Sequence, residues 1–156
     1  MAWRRVRDLA GEDDPVLKVS VEYTHLFIGP PRPAAAPWET FYRGGEAASG
    51  SVVGFGEATF AMRQQLRELG LELRNENNQY EDHLGIELLC LSVLCSRASR
   101  EEAEAAAVAA FIKERPLSWI DAFSACVMEE CPDGYFAGLS AVAVALLRWH
   151  FDELSR

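Results

Sequence analysis

Tyr135-Phe-Ala-Gly-Leu-Ser-Ala-Val-Ala-Val-Ala-Leu-Leu-Arg-Trp-His-Phe-Asp-Glu-Leu154 is the stretch that decides the fold class. Leu139, Val142, Leu146 and Trp149 recur at three- and four-residue spacings, which predicts a helix with these residues and Phe151 as its core face. The turn Pro132-Asp-Gly134 marks its start. The same period returns toward the N-terminus. Leu117 to Val127 predicts a helix, and Pro116 separates it from an earlier one. That earlier helix opens on Ser99-Arg-Glu-Glu102, a capping-box pattern, and is lined by Ala103, Ala106, Ala107, Ala110 and Phe111. His83 to Leu94 is strongly apolar, with Ile86, Leu89, Cys90 and Val93 sharing a face. Ala58 to Leu69 carries Phe60, Leu66 and Leu69 and stops at Gly70. Asp14-Pro15 opens the first helix, lined by Val16, Val19, Tyr23, Leu26 and Phe27 and stopped by Gly29-Pro30. Residues 29–37 hold four prolines, and Gly44, Gly45, Gly50, Gly54 and Gly56 punctuate the stretch beyond Trp38 to Tyr42. No Asn-Gly or Asp-Gly pair joins two alternating runs, so hairpin signals are lacking. The reading is all-α: one helical-bundle domain over 1–156, of five to six helices, with one long Pro/Gly-rich loop.

Composition bounds the function. The chain has 156 residues, the size of one ordinary domain, with 49% hydrophobic and 25% charged residues. A chain this long buries roughly 68–70% of its unfolded surface, enough for a core without metals or crosslinks. Acids outnumber bases 24 to 15, for a net charge of -9. That argues against nucleic acid, which needs a basic face, and favours Arg-bearing partners. No run approaches the roughly 18 apolar residues of a membrane span. Arg4 and Arg5 are adjacent, but Arg7, Asp8, Glu12, Asp13 and Asp14 follow where an export signal needs an apolar stretch. Cys90, Cys95, Cys126 and Cys131 match no CxxC pattern and read as free thiols. The chain reads as cytoplasmic.

Catalytic signals are missing. There is no GxGxxG after a strand, no GxxxxGK[ST], no HExxH and no GxSxG. His25, His83 and His150 are far apart in sequence. Asp13/Asp14, Glu101/Glu102 and Glu129/Glu130 are adjacent pairs, whose side chains diverge by about 100° on a helix. The expectation is a non-enzyme with no cofactor and no metal.

Three segments carry a resemblance when taken in order. They are Glu22-Tyr23-Thr-His-Leu26-Phe27-Ile-Gly29-Pro30, Ala36-Pro37-Trp38-Glu39-Thr-Phe-Tyr42, and Glu81-Asp82-His83-Leu-Gly-Ile-Glu87-Leu88. Together with Pro116-Leu-Ser-Trp119-Ile-x-x-Phe123 and Gly134-Tyr-Phe-Ala-Gly-Leu139, this order resembles the TorD/DmsD family of redox-enzyme maturation chaperones, over roughly residues 15 to 150. The resemblance implies an all-α, cytoplasmic chaperone. It would bind the twin-arginine leader of a molybdoenzyme precursor and hold the precursor until its cofactor is inserted. It also implies peptide-binding residues: Tyr23, Leu26, Phe27, Pro37, Trp38, Glu39, Asp82 and His83. Two departures stand out. The family's third motif often reads Glu-Pro-Asp-His, whereas here Glu81 directly precedes Asp82. Relatives also carry several helices before the Tyr-x-x-Leu-Phe segment, where this chain has only about 22 residues. The N-terminus therefore reads as shortened, with 1–13 an irregular or exchanged segment. A missing helical layer favours a homo-oligomer or a segment-exchanged dimer.

A leader offers two guanidinium groups and then an apolar stretch. Glu39, Asp82 and Glu87 are candidates for the first, and Tyr23, Phe27, Trp38 and Phe41 for the second. Plainer roles stand beside these. Leu26 and Phe27 are core candidates. Trp38 either anchors its loop or meets the ligand, and Asp82 either caps the helix at His83 or meets the peptide. Glu87 either binds Arg or is buried to hold the Pro-rich loop. A helical adaptor for a folded redox subunit, independent of the leader, is the alternative function. A guanine-nucleotide activity is a third class, without a visible phosphate loop.

Overall fold

A computed structural model describes residues 14–29, 31–43, 54–74, 79–100 and 104–156. Seven α-helices form among them. They are α1 (Pro15–Tyr23), α2 (Glu39–Arg43), α3 (Glu57–Glu68), α4 (Leu84–Ala98), α5 (Ala105–Glu114), α6 (Pro116–Glu130) and α7 (Tyr135–Leu154). The all-α class holds. The extra helix is α2, a single turn of five residues that hydrophobic periodicity is too coarse to detect.

The chain forms two compact units. One holds α1, the Pro-rich segment to Ala36, and Ile120–Trp149 of α6 and α7. In it Asp14 caps α1 by accepting from the Leu17 amide at 2.9 Å, with Pro15 in the first turn as expected. The helix then widens into a π-turn, Thr24–Ile28, which Gly29 ends at φ 65°. The chain folds back there, and the Ala35 amide donates to the Leu26 carbonyl at 2.8 Å. A Cβ at position 29 would overlap the Arg32 carbonyl. Gly29→Ala is therefore expected to lower stability by about 1–3 kcal/mol, read by urea denaturation.

Glu22 fixes the start of α7. Its carboxylate accepts from the Tyr135 and Phe136 amides at 2.9 and 2.8 Å, which satisfies two orphan donors at a positive helix end. The Phe27 ring meets Phe136 edge-on at 4.9 Å, Tyr23 at 5.3 Å and Phe123 at 6.1 Å. Beside this cluster His25 pairs with Glu130 at 3.1 Å.

The other unit holds Pro37–Trp119 with His150–Arg156. Its buried apolar residues include Met62 and Leu66 of α3, Ile86, Cys90 and Leu94 of α4, and Val108, Phe111 and Ile112 of α5. Arg97 of α4 donates to the Leu69 carbonyl at 2.6 Å, closing the end of α3, and Gly70 (φ 69°) turns the chain away.

Several predicted core faces are rotated. In α7, Leu139, Val142, Leu146 and Trp149 are 46%, 41%, 57% and 61% exposed, and Ala137, Gly138, Ser140 and Leu147 are buried instead. Leu89 and Phe60 also face out, as do Val16 and Tyr23 of α1, which buries none of its own residues. In α5 Ala106, Ala107 and Ala110 are exposed while Val108 and Ile112 join Phe111 inside; Ala103 lies outside the described residues. An apolar helix offers more than one stripe, and period alone does not choose between them. The capping box does not form as expected. Ser99 sits at the C-terminal end of α4, where its hydroxyl donates to the Ser96 carbonyl, and Glu104 precedes α5 without a side-chain cap. Glu101 and Glu102 lie outside the described residues.

Candidate functional site

The second and third sequence motifs meet in one unit. The Leu84 amide donates to the Pro37 carbonyl at 2.9 Å, and the Glu39 amide donates to the Asp82 carbonyl at 3.0 Å. Between these bonds Trp38 and His83 form an isolated antiparallel bridge. Their rings meet edge to face, with centroids 5.6 Å apart. The ribbon stops after one pair because helices begin directly after Trp38 and His83.

Asp82 is the hub, and it does not cap its own helix. Its Oδ2 accepts from the Thr40 amide at 3.0 Å and from the Thr40 hydroxyl at 2.5 Å. Its Oδ1 accepts from the Thr59 hydroxyl at 2.9 Å. One fully buried carboxylate thus caps α2 across 42 residues of sequence and ties it to α3. The cap of α4 is His83, whose Nδ1 accepts from the Gly85 amide at 3.0 Å. That bond requires a neutral ring with its proton on Nε2. Burial holds the imidazole below its usual range, against the opposing pull of Asp82. Glu81 turns the other way, onto Arg63 of α3, with bonds of 2.6 and 3.0 Å. That pairing holds the Glu81 carboxyl below its usual range.

Beneath the bridge lies an acidic pair. Glu39 and Glu87 are both 0% exposed. Oε1 of Glu39 receives Nη1 of Arg43 and, at 3.5 Å, Nη1 of Arg115. The Trp119 indole N–H is shared between the two oxygens of Glu87, at 3.3 and 3.2 Å. Tyr42 stacks on Trp119 with centroids 5.5 Å apart. Burial first, and then Glu39, push the Glu87 carboxyl well above its usual range. Oε2 of Glu39 and Oε1 of Gln79 are buried and receive no hydrogen bond from the described protein atoms, and the buried Trp38 indole N–H donates none to them.

Pro37, Trp38, Glu39, Asp82, His83 and Glu87 are therefore brought together. Tyr23, Leu26 and Phe27 belong to the other unit, where Leu26 is fully buried, Phe27 sits in the aromatic cluster and Tyr23 is 46% exposed. Thr40, Thr59, Arg43, Arg115 and Trp119 escaped the sequence reading as site residues. Thr40 and Trp119 left a trace, inside the quoted Pro-Trp-Glu-Thr and Pro-Leu-Ser-Trp runs. Burial pushes the Cys90 thiol up to about 11, the behaviour of a packing residue. Among the described residues no group of three His, Cys, Asp or Glu is placed to hold a metal, and no helix is long and apolar enough to cross a membrane.

In this all-α chain the Pro-Trp-Glu segment is thus joined to an Asp-His helix start by backbone hydrogen bonds. Residues 1–125 match the family described as nitrate reductase delta subunit, and the chain belongs to that family. It is similar to Chaperone protein TorD of Aliivibrio fischeri, at 25% identity over 92% of this chain and 67% of the relative. It is also similar to Tat proofreading chaperone DmsD of Salmonella typhi, at 34% identity over 53% of this chain and 38% of the relative. TorD of Photobacterium profundum gives 25% over 90% of this chain and 65% of its own length. The chain thus spans about two thirds of the TorD relatives, and its match to DmsD spans well under half of that protein.

Proposed function

We propose that this protein is a cytoplasmic, non-enzymatic chaperone. It binds the twin-arginine leader of a molybdoenzyme precursor and assists its maturation before export. The observation that carries the reading is the Trp38–His83 bridge, which joins two motifs of the resemblance into one surface feature. The names of the relatives support it.

The geometry divides the proposed contacts by exposure. Trp38 and His83 are partly exposed and meet the leader, with Pro37 setting the backbone between them. The partly exposed Trp38 indole offers a stacking face for a guanidinium. Glu39, Asp82 and Glu87 are too buried to reach a docked peptide, so they act as the frame that sets the Trp38 segment. In the other unit Tyr23 offers an exposed edge, while Leu26 and Phe27 pack beneath it. The net charge of -9 draws a basic peptide in, which makes the encounter salt-sensitive.

Trp38→Ala is expected to weaken leader binding at least about tenfold, the loss typical of an aromatic hot spot. Titration calorimetry with a twin-arginine peptide reads this, and circular dichroism is expected to remain that of the parent. A loss of helicity would make Trp38 structural. Self-association is a further part of the proposal, supported by the exposed stripe Leu139, Val142, Leu146 and Trp149, and a molar-mass measurement showing only monomer would count against it. The same stripe is what an adaptor for a folded subunit would use. Equal capture of a client with and without its leader would favour that second reading.

A further inference from the structure

We propose that Glu39 and Glu87 share one proton, and that this proton fastens the Trp38 segment to α4. Glu39 lies one residue after Trp38 on α2, and Glu87 lies one turn after His83 on α4. Both carboxyl groups are fully buried, on segments joined by the Trp38–His83 bridge, and they act on one another. Two acceptor-only carboxylates so placed repel. A proton between them turns the repulsion into a charge-assisted hydrogen bond.

The surrounding donors say where the proton resides. Both guanidinium groups, Arg43 and Arg115, converge on Oε1 of Glu39, so Glu39 is the ionised partner. Its Oε2 has no donor from the described protein atoms. Among the described residues the hydrogen-bond donor on Glu87 is the Trp119 N–H, divided between both oxygens, which is too little to hold a buried anion. A protonated Glu87 supplies the donor that Oε2 of Glu39 lacks. Arg115 also acts on Glu87 and favours its ionised form, but burial and Glu39 outweigh it, and the Cys90 thiol on the same helix stays neutral.

The direction of the pH effect follows. Glu87 titrates above its unfolded value of 4.5, so its contribution to stability is full below that value and is lost as pH rises through the folded one. His83 works in the opposite sense. Its contribution is full above 6.5 and is lost as pH falls below that value. The acid pair does not depend on the function proposed above, and only its consequence for the leader rests on that reading. There the expected effect is a leader affinity that falls several-fold as pH rises through the titration of the pair.

Infrared spectroscopy of the full chain in heavy water tests the pair without any ligand. The parent is expected to show the carbonyl stretch of a buried protonated carboxyl at neutral pH, and Glu87→Gln is expected to lack it. Glutamine keeps a donor at the same place, so the variant is expected to stay folded and to lose the alkaline fall in stability. No such band in the parent, or the same band in Glu87→Gln, overturns the proposal. If the band behaves as expected and no twin-arginine peptide binds, the acid pair stands and the leader reading fails.

Discussion

Asp82→Ala is expected to cost about 3–4 kcal/mol of folding stability. The carboxylate is fully buried and accepts three hydrogen bonds, from the Thr40 amide, the Thr40 hydroxyl and the Thr59 hydroxyl. The two hydroxyls lie 3.3 Å apart and are able to satisfy each other after the change. The Thr40 amide is not, because it is an orphan donor at the start of a one-turn helix. α2 would then lose its cap and its tie to α3 together. Asp82→Asn keeps one acceptor and is expected to cost less. Urea denaturation of both variants measures the difference. A cost below about 1 kcal/mol for the alanine variant would show that the hub is not needed.

Trp119→Ala is expected to cost about 3–5 kcal/mol, the range for truncating a buried aromatic. Trp119 is 2% exposed, and its ring is the stacking surface for Tyr42. Its N–H is also the donor on both oxygens of Glu87. The cavity and the stripped carboxyl act in the same direction, and their site supports α2 and α4 at once. For a chain of this size the loss corresponds to a fall in melting temperature of roughly 6–20 °C. Trp119→Phe separates the two contributions, since it keeps most of the ring and removes the N–H. It is expected to lose about 1–2 kcal/mol.

The helices were legible in the sequence because their stops are chemical. Asp14-Pro15, Gly29, Gly70 and Pro132-Asp-Gly134 each act through local backbone geometry, and each bounds a helix where expected. Which face is buried was less legible. Leu139, Val142, Leu146 and Trp149 make a good stripe, yet Ala137, Gly138, Ser140 and Leu147 are the buried ones. Period alone cannot choose between two apolar stripes on one helix. The site was half legible. Its Pro-Trp-Glu and Asp-His residues are joined as their motifs suggested, but their roles were not readable locally. Asp82 was a candidate cap for the helix that follows it or a peptide contact, and it caps a helix 42 residues earlier. Glu39 and Glu87 were candidates for a guanidinium, with burial the open alternative for Glu87, and both are buried. Partners distant in sequence, such as Thr59, Arg115 and Trp119, decide those roles.

The central claim is recognition of a leader through its arginine pair. Calorimetric titration of the full chain with a twin-arginine peptide, and with the same peptide carrying alanine at both arginines, tests it most directly. Saturable binding to the first peptide that weakens as salt is added, with none detectable to the second, is the expected result. Equal binding to both peptides, or binding to neither, would contradict it.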